Sequence, residues 1–281
     1  MSRRAAITLT GGGLAVALLI LTWFLTFHVG FFARADVNIL TGFLDLRRPR
    51  VSPIASFIAH LCNPQPYAYL VAVPILLALA RRRPGVGLMI GAVVLGANLT
   101  TQLLKPLLHG PRLTIPGGMP IIASSWPSGH ATAAMTLALC SVIAAPARLR
   151  PALAATGAAF SVAVSYSFLT LGWHYPSDVF GGFLVATAWT LLGAGTLFAL
   201  DARRGHQPQG LHHRRPSLGE ALRAPAAAGL GALAMGVVIL LARPRAVLSY
   251  ADAHTTFVVG AAAIGALSLA LATGLMLALR R

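Results

Sequence analysis

Two histidines, a carboxylate and two cations stand at the ends of long apolar runs in this chain: Lys105, Arg112, His130, His174 and Asp178. A carboxylate bonded to one imidazole nitrogen fixes the tautomer and leaves the other nitrogen as a nucleophile. A second imidazole at a helix start can protonate a leaving oxygen. A lysine supplies a point charge and an arginine a fork for phosphate oxygens. Together these residue types suit transfer of a phosphoryl group.

Each cluster has a local logic. Asn98, Thr101, Gln102 and Lys105 share one helix face at about 3.6 residues per turn, and polar residues within apolar helices face a cavity or the bundle interior. Arg112 follows, past Pro106 and Pro111, which stiffen the loop. In Pro127-Ser-Gly-His130, Ser128 is suited to cap the next helix, Gly129 lets the backbone approach a ligand, and the first-turn N–H groups point at an anion site. His174 and Asp178 share a helix face if the helix reaches back through Pro176; otherwise a turn must join them. Plainer readings exist for each cluster alone: snorkelling anchors, a cap with an incidental histidine, or half of a metal site that lacks a second matching pair of ligands. Neither a metal nor a cofactor is called for.

The elements that must position these residues are membrane helices. Hydrophobic residues make up 57% of the 281 and charged residues 10%, against about a quarter charged in a soluble domain. The fold class is all-α, a polytopic helix bundle, because an open sheet would leave backbone groups unpaired in lipid. Apolar stretches suited to spanning fall at roughly 7–28, 67–80, 86–104, 131–146, 152–172, 179–200, 226–242 and 255–279, the second and fourth being short. The first is read as an uncleaved helix, since it exceeds the core of a signal peptide.

The formal net charge of +16 invites a nucleic-acid reading, which position argues against. Arg3, Arg4, Arg81, Arg82, Arg83, Arg148, Arg150, Arg203, Arg204, Arg214, Arg215, Arg223, Arg280 and Arg281 fall in alternate gaps between spans, the positive-inside pattern. Both termini are then cytoplasmic, and Lys105 to His130 shares the extracytoplasmic side with His174 and Asp178. The partners expected are the bilayer and a lipid substrate.

Residues 1–200 read as a six-helix core containing an interfacial or outer segment at 36–66, where apolar residues at helical spacing mix with Arg47, Arg48 and Arg50. Residues 201–225 form a basic cytoplasmic linker with His206, His212 and His213, and 226–281 two further transmembrane helices resembling an appended pair. Cys62 and Cys140 fall at different depths and are expected to be inert.

Lys105-(six residues)-Arg112, Pro127-Ser-Gly-His130 and Ser167-(six residues)-His174-(three residues)-Asp178 resemble, in order and spacing, the three signature motifs of the type 2 phosphatidic acid phosphatase superfamily. The resemblance covers roughly residues 65 to 200. It implies a six-helix core and metal-independent, two-step phosphoryl transfer: His174 attacks phosphorus, Asp178 supports it, His130 protonates the departing alkoxide, and Lys105, Arg112, Ser128 and the Gly129 amide hold phosphate oxygens. Two departures stand out. Leu113 follows Arg112 where the family has proline, and Phe168 follows Ser167 where it has arginine. Loss of one preorganised donor costs about 2.7–4 kcal/mol. Arg34, Arg47, Arg48, Arg50, Arg243, Arg245 or His109 could substitute, or the substrate could carry less charge.

The expectation is an inner-membrane lipid phosphatase acting on the phosphate monoester or pyrophosphate of a membrane lipid: an isoprenoid carrier, phosphatidic acid or phosphatidylglycerol phosphate. The rivals are a lipid phosphotransferase using the same site, a vanadate haloperoxidase, and a non-catalytic lipid-binding relative marked by Phe168.

Overall fold

The structure, a computed structural model, describes residues 3–114, 121–203 and 217–280. Its regular structure among the described residues is helical: α1 (Arg3–His28), α2 (Gly30–Asp45), α3 (Val51–His60), α4 (Pro64–Ala80), α5 (Pro84–Leu107), α6 (Gly129–Ala144), α7 (Arg150–Thr170), α8 (Pro176–Arg203), α9 (Leu218–Ala242), α10 (Pro244–Ala253) and α11 (Thr255–Ala278). Six of these, α1, α5, α7, α8, α9 and α11, are long and apolar enough to cross a bilayer, and α3 with α4 would make a seventh span bent by 58°. The chain is a multi-pass membrane protein. The two runs expected to be short are short: α4 has 17 residues and α6 has 16.

α6 and α8 form the centre. α6 is buried along most of its length, and α8 packs on α1, α5 and α6. Their backbones meet at Gly182, where a Cβ would lie 2.7 Å from the Ser128 carbonyl oxygen and 2.8 Å from the Ala131 Cβ. Only glycine permits that approach, and it sets the start of α6 against the first turns of α8. Outward faces carry Leu88, Leu95 and Leu230, the exposed apolar surface a lipid-facing bundle requires.

The 36–66 segment contributes α2 and α3. α2 turns Asp36, Leu40 and Phe43 inward, onto α7, α8 and α11. The C-terminal segment holds the two long apolar helices expected, α9 and α11, with the short α10 between them, and α11 packs closely on the core. Tyr166 donates to the Ala261 carbonyl at 2.6 Å, and Ser268 to that of Ala158 at 3.1 Å. The linker is shorter than its expected bounds of 201–225, because α8 runs to Arg203 and α9 starts at Leu218. Ser217 and Glu220 form a reciprocal capping box that starts α9 there, with Arg223 inside the helix. Arg204, His206, His212, His213, Arg214 and Arg215 lie outside the described residues.

Candidate active site

Four helix ends bring the polar clusters together. Ser128 is the N-cap of α6, its hydroxyl accepting the Ala131 N–H at 3.3 Å, and its own N–H donates to the Asp178 carbonyl at 3.0 Å. That bond ties the start of α6 to the first turn of α8. Gly129 opens α6, with the Gln102 side chain 3.7 Å from where a Cβ would be. The peptide before Pro127 is cis.

α8 begins at Pro176, so His174 sits in the preceding turn, outside the helix. The turn makes the contact. Asp178 Oδ2 accepts from His174 Nδ1 at 3.0 Å and from the Tyr175 N–H at 3.1 Å. Gly172, at φ 76°, provides the left-handed residue that reverses the chain after α7. Asp178 is fully buried and His174 nearly so, at 8% exposure. With Nδ1 bound to the carboxylate, Nε2 of His174 is the nitrogen available to attack.

The His130 ring stands 6.4 Å from that of His174, centroid to centroid. His130 Nε2 meets the Asn63 side-chain oxygen at 3.1 Å; because that oxygen only accepts, the bond keeps a proton on Nε2. Lys105, at the end of α5, lies within electrostatic reach of both His130 and Asp178. His60, at the end of α3, is also within reach of His130, and its ring meets Trp173 at 5.6 Å.

Arg112 occupies a more elaborate setting than its expected role suggests. It donates to Asp178 Oδ1, to Asp36 Oδ2 at 2.8 Å and to the Ser177 hydroxyl at 3.0 Å. Its guanidinium carbon lies 4.6 Å from the ring centres of both Phe27 and Tyr175. Asp36 also accepts the Ser177 N–H at 2.8 Å and its hydroxyl at 2.5 Å. Burial pushes the Asp36 carboxyl up to about 6 despite the neighbouring Arg112.

Phe168 is wholly buried, its ring 5.1 Å from His174 and 6.1 Å from His130. Ser167 donates to its own helix, to the Ala163 carbonyl at 2.7 Å. Arg34, Arg47, Arg48, Arg50, Arg243, Arg245 and His109 are all exposed. His109 turns to the Pro106 carbonyl at 2.7 Å and Arg48 to that of Arg47 at 3.0 Å.

Residues that the sequence reading did not single out therefore complete the site: Asp36, Asn63, Trp173 and Ser177. Of these only Asp36 carried a signal, a carboxylate in an otherwise apolar stretch.

Residues 85–200, which carry all three clusters, match the model of the PAP2 superfamily. The fold is similar to the crystal structure of a transmembrane PAP2 type phosphatidylglycerolphosphate phosphatase from Bacillus subtilis. The TM-score is 0.56 at 18% identity, over 71% of this chain and 99% of that one. No curated protein sequence matches the chain significantly. Asp36 and Asn63 both precede the family segment.

Proposed function

We propose that the chain is an integral membrane lipid phosphatase that works through a phosphohistidine. The observation that carries this reading is the pair of imidazoles facing each other, one bound to a buried carboxylate and the other holding a proton on Nε2. In the first step His174 Nε2 attacks phosphorus and forms an N–P bond. The P–O bond to the lipid breaks, and the departing alkoxide takes a proton from the His130 imidazolium, which becomes neutral imidazole with Nε2–H still bound to Asn63. In the second step water attacks phosphorus, gives its proton to His130, and the N–P bond breaks to release phosphate. Asp178 stabilises the imidazolium that develops on His174. Lys105, the Gly129 amide and the Ser128 cap supply positive charge and donors for the phosphate oxygens, and Arg112 braces Asp178. The protein needs no metal for this chemistry.

The substrate class is a membrane lipid phosphate: an isoprenoid carrier phosphate, phosphatidic acid or phosphatidylglycerol phosphate. The site faces the extracytoplasmic side of the inner membrane. Arg81, Arg83, Arg150 and Arg4 support this, since they gather at the far end of the bundle: Arg81 donates to the Ala144 carbonyl at 2.6 Å, at the opposite end of α6 from His130. Phosphate trapped on the protein in an acid-labile, base-stable linkage, absent from His174→Ala, tests the intermediate; no trapped phosphate during turnover overturns it. Phosphate appearing on a second lipid would indicate transfer instead of hydrolysis.

A further inference from the structure

The charges that meet at the two imidazoles nearly cancel. Lys105 and Arg112 bring two positive charges, and Asp36 and Asp178 bring two negative ones. Arg112 is engaged through its two terminal nitrogens by both carboxylates and by Ser177, while its buried Nε has no hydrogen-bond partner among the described residues. The donors at the start of α8 are consumed in the same way: the Ser177 N–H goes to Asp36 and the Tyr175 N–H to Asp178. What faces a ligand is Lys105 and the N-terminal end of α6, the latter equivalent to about half a charge. The third side is closed by the Phe168 ring, which carries no donor. The remaining titratable neighbours are His60, His130, His174 and Tyr175.

We infer that this site takes a phosphoryl group bearing one negative charge in preference to a doubly charged one, and that Asp36 is the positioning residue that sets this preference by holding Arg112. The inference deepens the lipid phosphatase reading and rests on it. A fully ionised phosphomonoester carries a second charge above its ionisation near about 6. That charge would lie close to two buried carboxylates, where like charges repel strongly and solvent screens little. A singly charged group meets Lys105, which makes no ion pair among the described residues, and one helix end, and needs no further cation. Two lipid classes satisfy this chemistry: a monoester in its protonated form, and a phosphodiester, singly charged at any ordinary pH. A pyrophosphate does not.

The test is binding of two inert lipid probes to the full chain in detergent, by calorimetry. One is a long-chain α,α-difluoroalkylphosphonate, doubly charged at about pH 8, above the second ionisation of a phosphoryl group. The other is its mono-methyl ester, singly charged. Wild type is expected to bind the ester at least about tenfold more tightly, an affinity ratio that partial unfolding would not move because both probes report on the same folded fraction. Asp36→Asn and, independently, Phe168→Arg are each expected to shift that ratio about tenfold or more towards the dianion, and Asp36→Glu to restore it. Equal or tighter binding of the dianion by wild type, or a ratio unmoved in the variants that fold, overturns the inference. Failure of the underlying reading would be seen separately, as absence of His174-dependent turnover. Turnover also separates the two sources: release from a monoester should fall as the second charge forms, whereas cleavage of a diester should not follow that ionisation.

Discussion

The His130 and His174 rings lie 6.4 Å apart, with Phe168 in contact with both. In a near-attack arrangement the reacting atoms are about 3–3.5 Å apart. Two imidazoles this close can both reach one tetrahedral group, one as nucleophile and the other as acid.

If His130 is the acid, its removal lowers kcat by about 10²–10⁴-fold, the usual worth of a positioned proton donor. Asn63 acts on the same step by holding Nε2–H, which leaves Nδ1 as the nitrogen that carries the transferred proton. Asn63→Ala is then expected to lower kcat by about 10–100-fold, as loss of an orienting outer partner does, with little change in KM. A change confined to KM would assign Asn63 to binding.

The α6–α8 contact gives a second expectation. A methyl group at Gly182 would come within 2.7–2.9 Å of the Ser128 carbonyl, the Ala131 Cβ and the Thr132 N. Gly182→Ala should destabilise by about 1–3 kcal/mol and impair the folded fraction as well, because it displaces the element carrying His130. Gly91→Ala, where a Cβ meets nothing within 4 Å, is the matched control and should leave both thermal midpoint and activity unchanged.

Asp36 gives stability a pH dependence of defined sign. Its folded value, about 6, lies above the ordinary 3.8, so between those values the folded protein holds a proton that the unfolded chain has lost. The stability tied to that proton is present below the ordinary value and is lost as pH rises through the folded one. The thermal midpoint of wild type should fall more steeply across this window than that of Asp36→Asn. Parallel slopes would show that Asp36 does not titrate in this range.

Much of this was legible in the residues. Lys105, His130, His174 and Asp178 are separated by whole helices, yet their motif spacing and the alternation of arginines already placed them at one end of a bundle. The capping pattern Ser217-x-x-Glu220, which starts α9, went unread because the surrounding charge favoured a linker. The rest depends on packing. Arg112 is 76 positions from Asp36, and no local rule pairs two residues in different elements. Asn63 reaches His130 only because the chain bends between α3 and α4. Whether a turn or a helix joins His174 to Asp178 turned on Pro176, which in the structure opens α8 and leaves His174 outside it.

The most direct test of the account is phosphate release by purified full-length protein from a panel of lipid phosphates in the presence of chelator, alongside His174→Ala. The account predicts release by wild type on at least one lipid and none above background by the variant. Undiminished release by His174→Ala, or no release by wild type on any lipid phosphate, would contradict it.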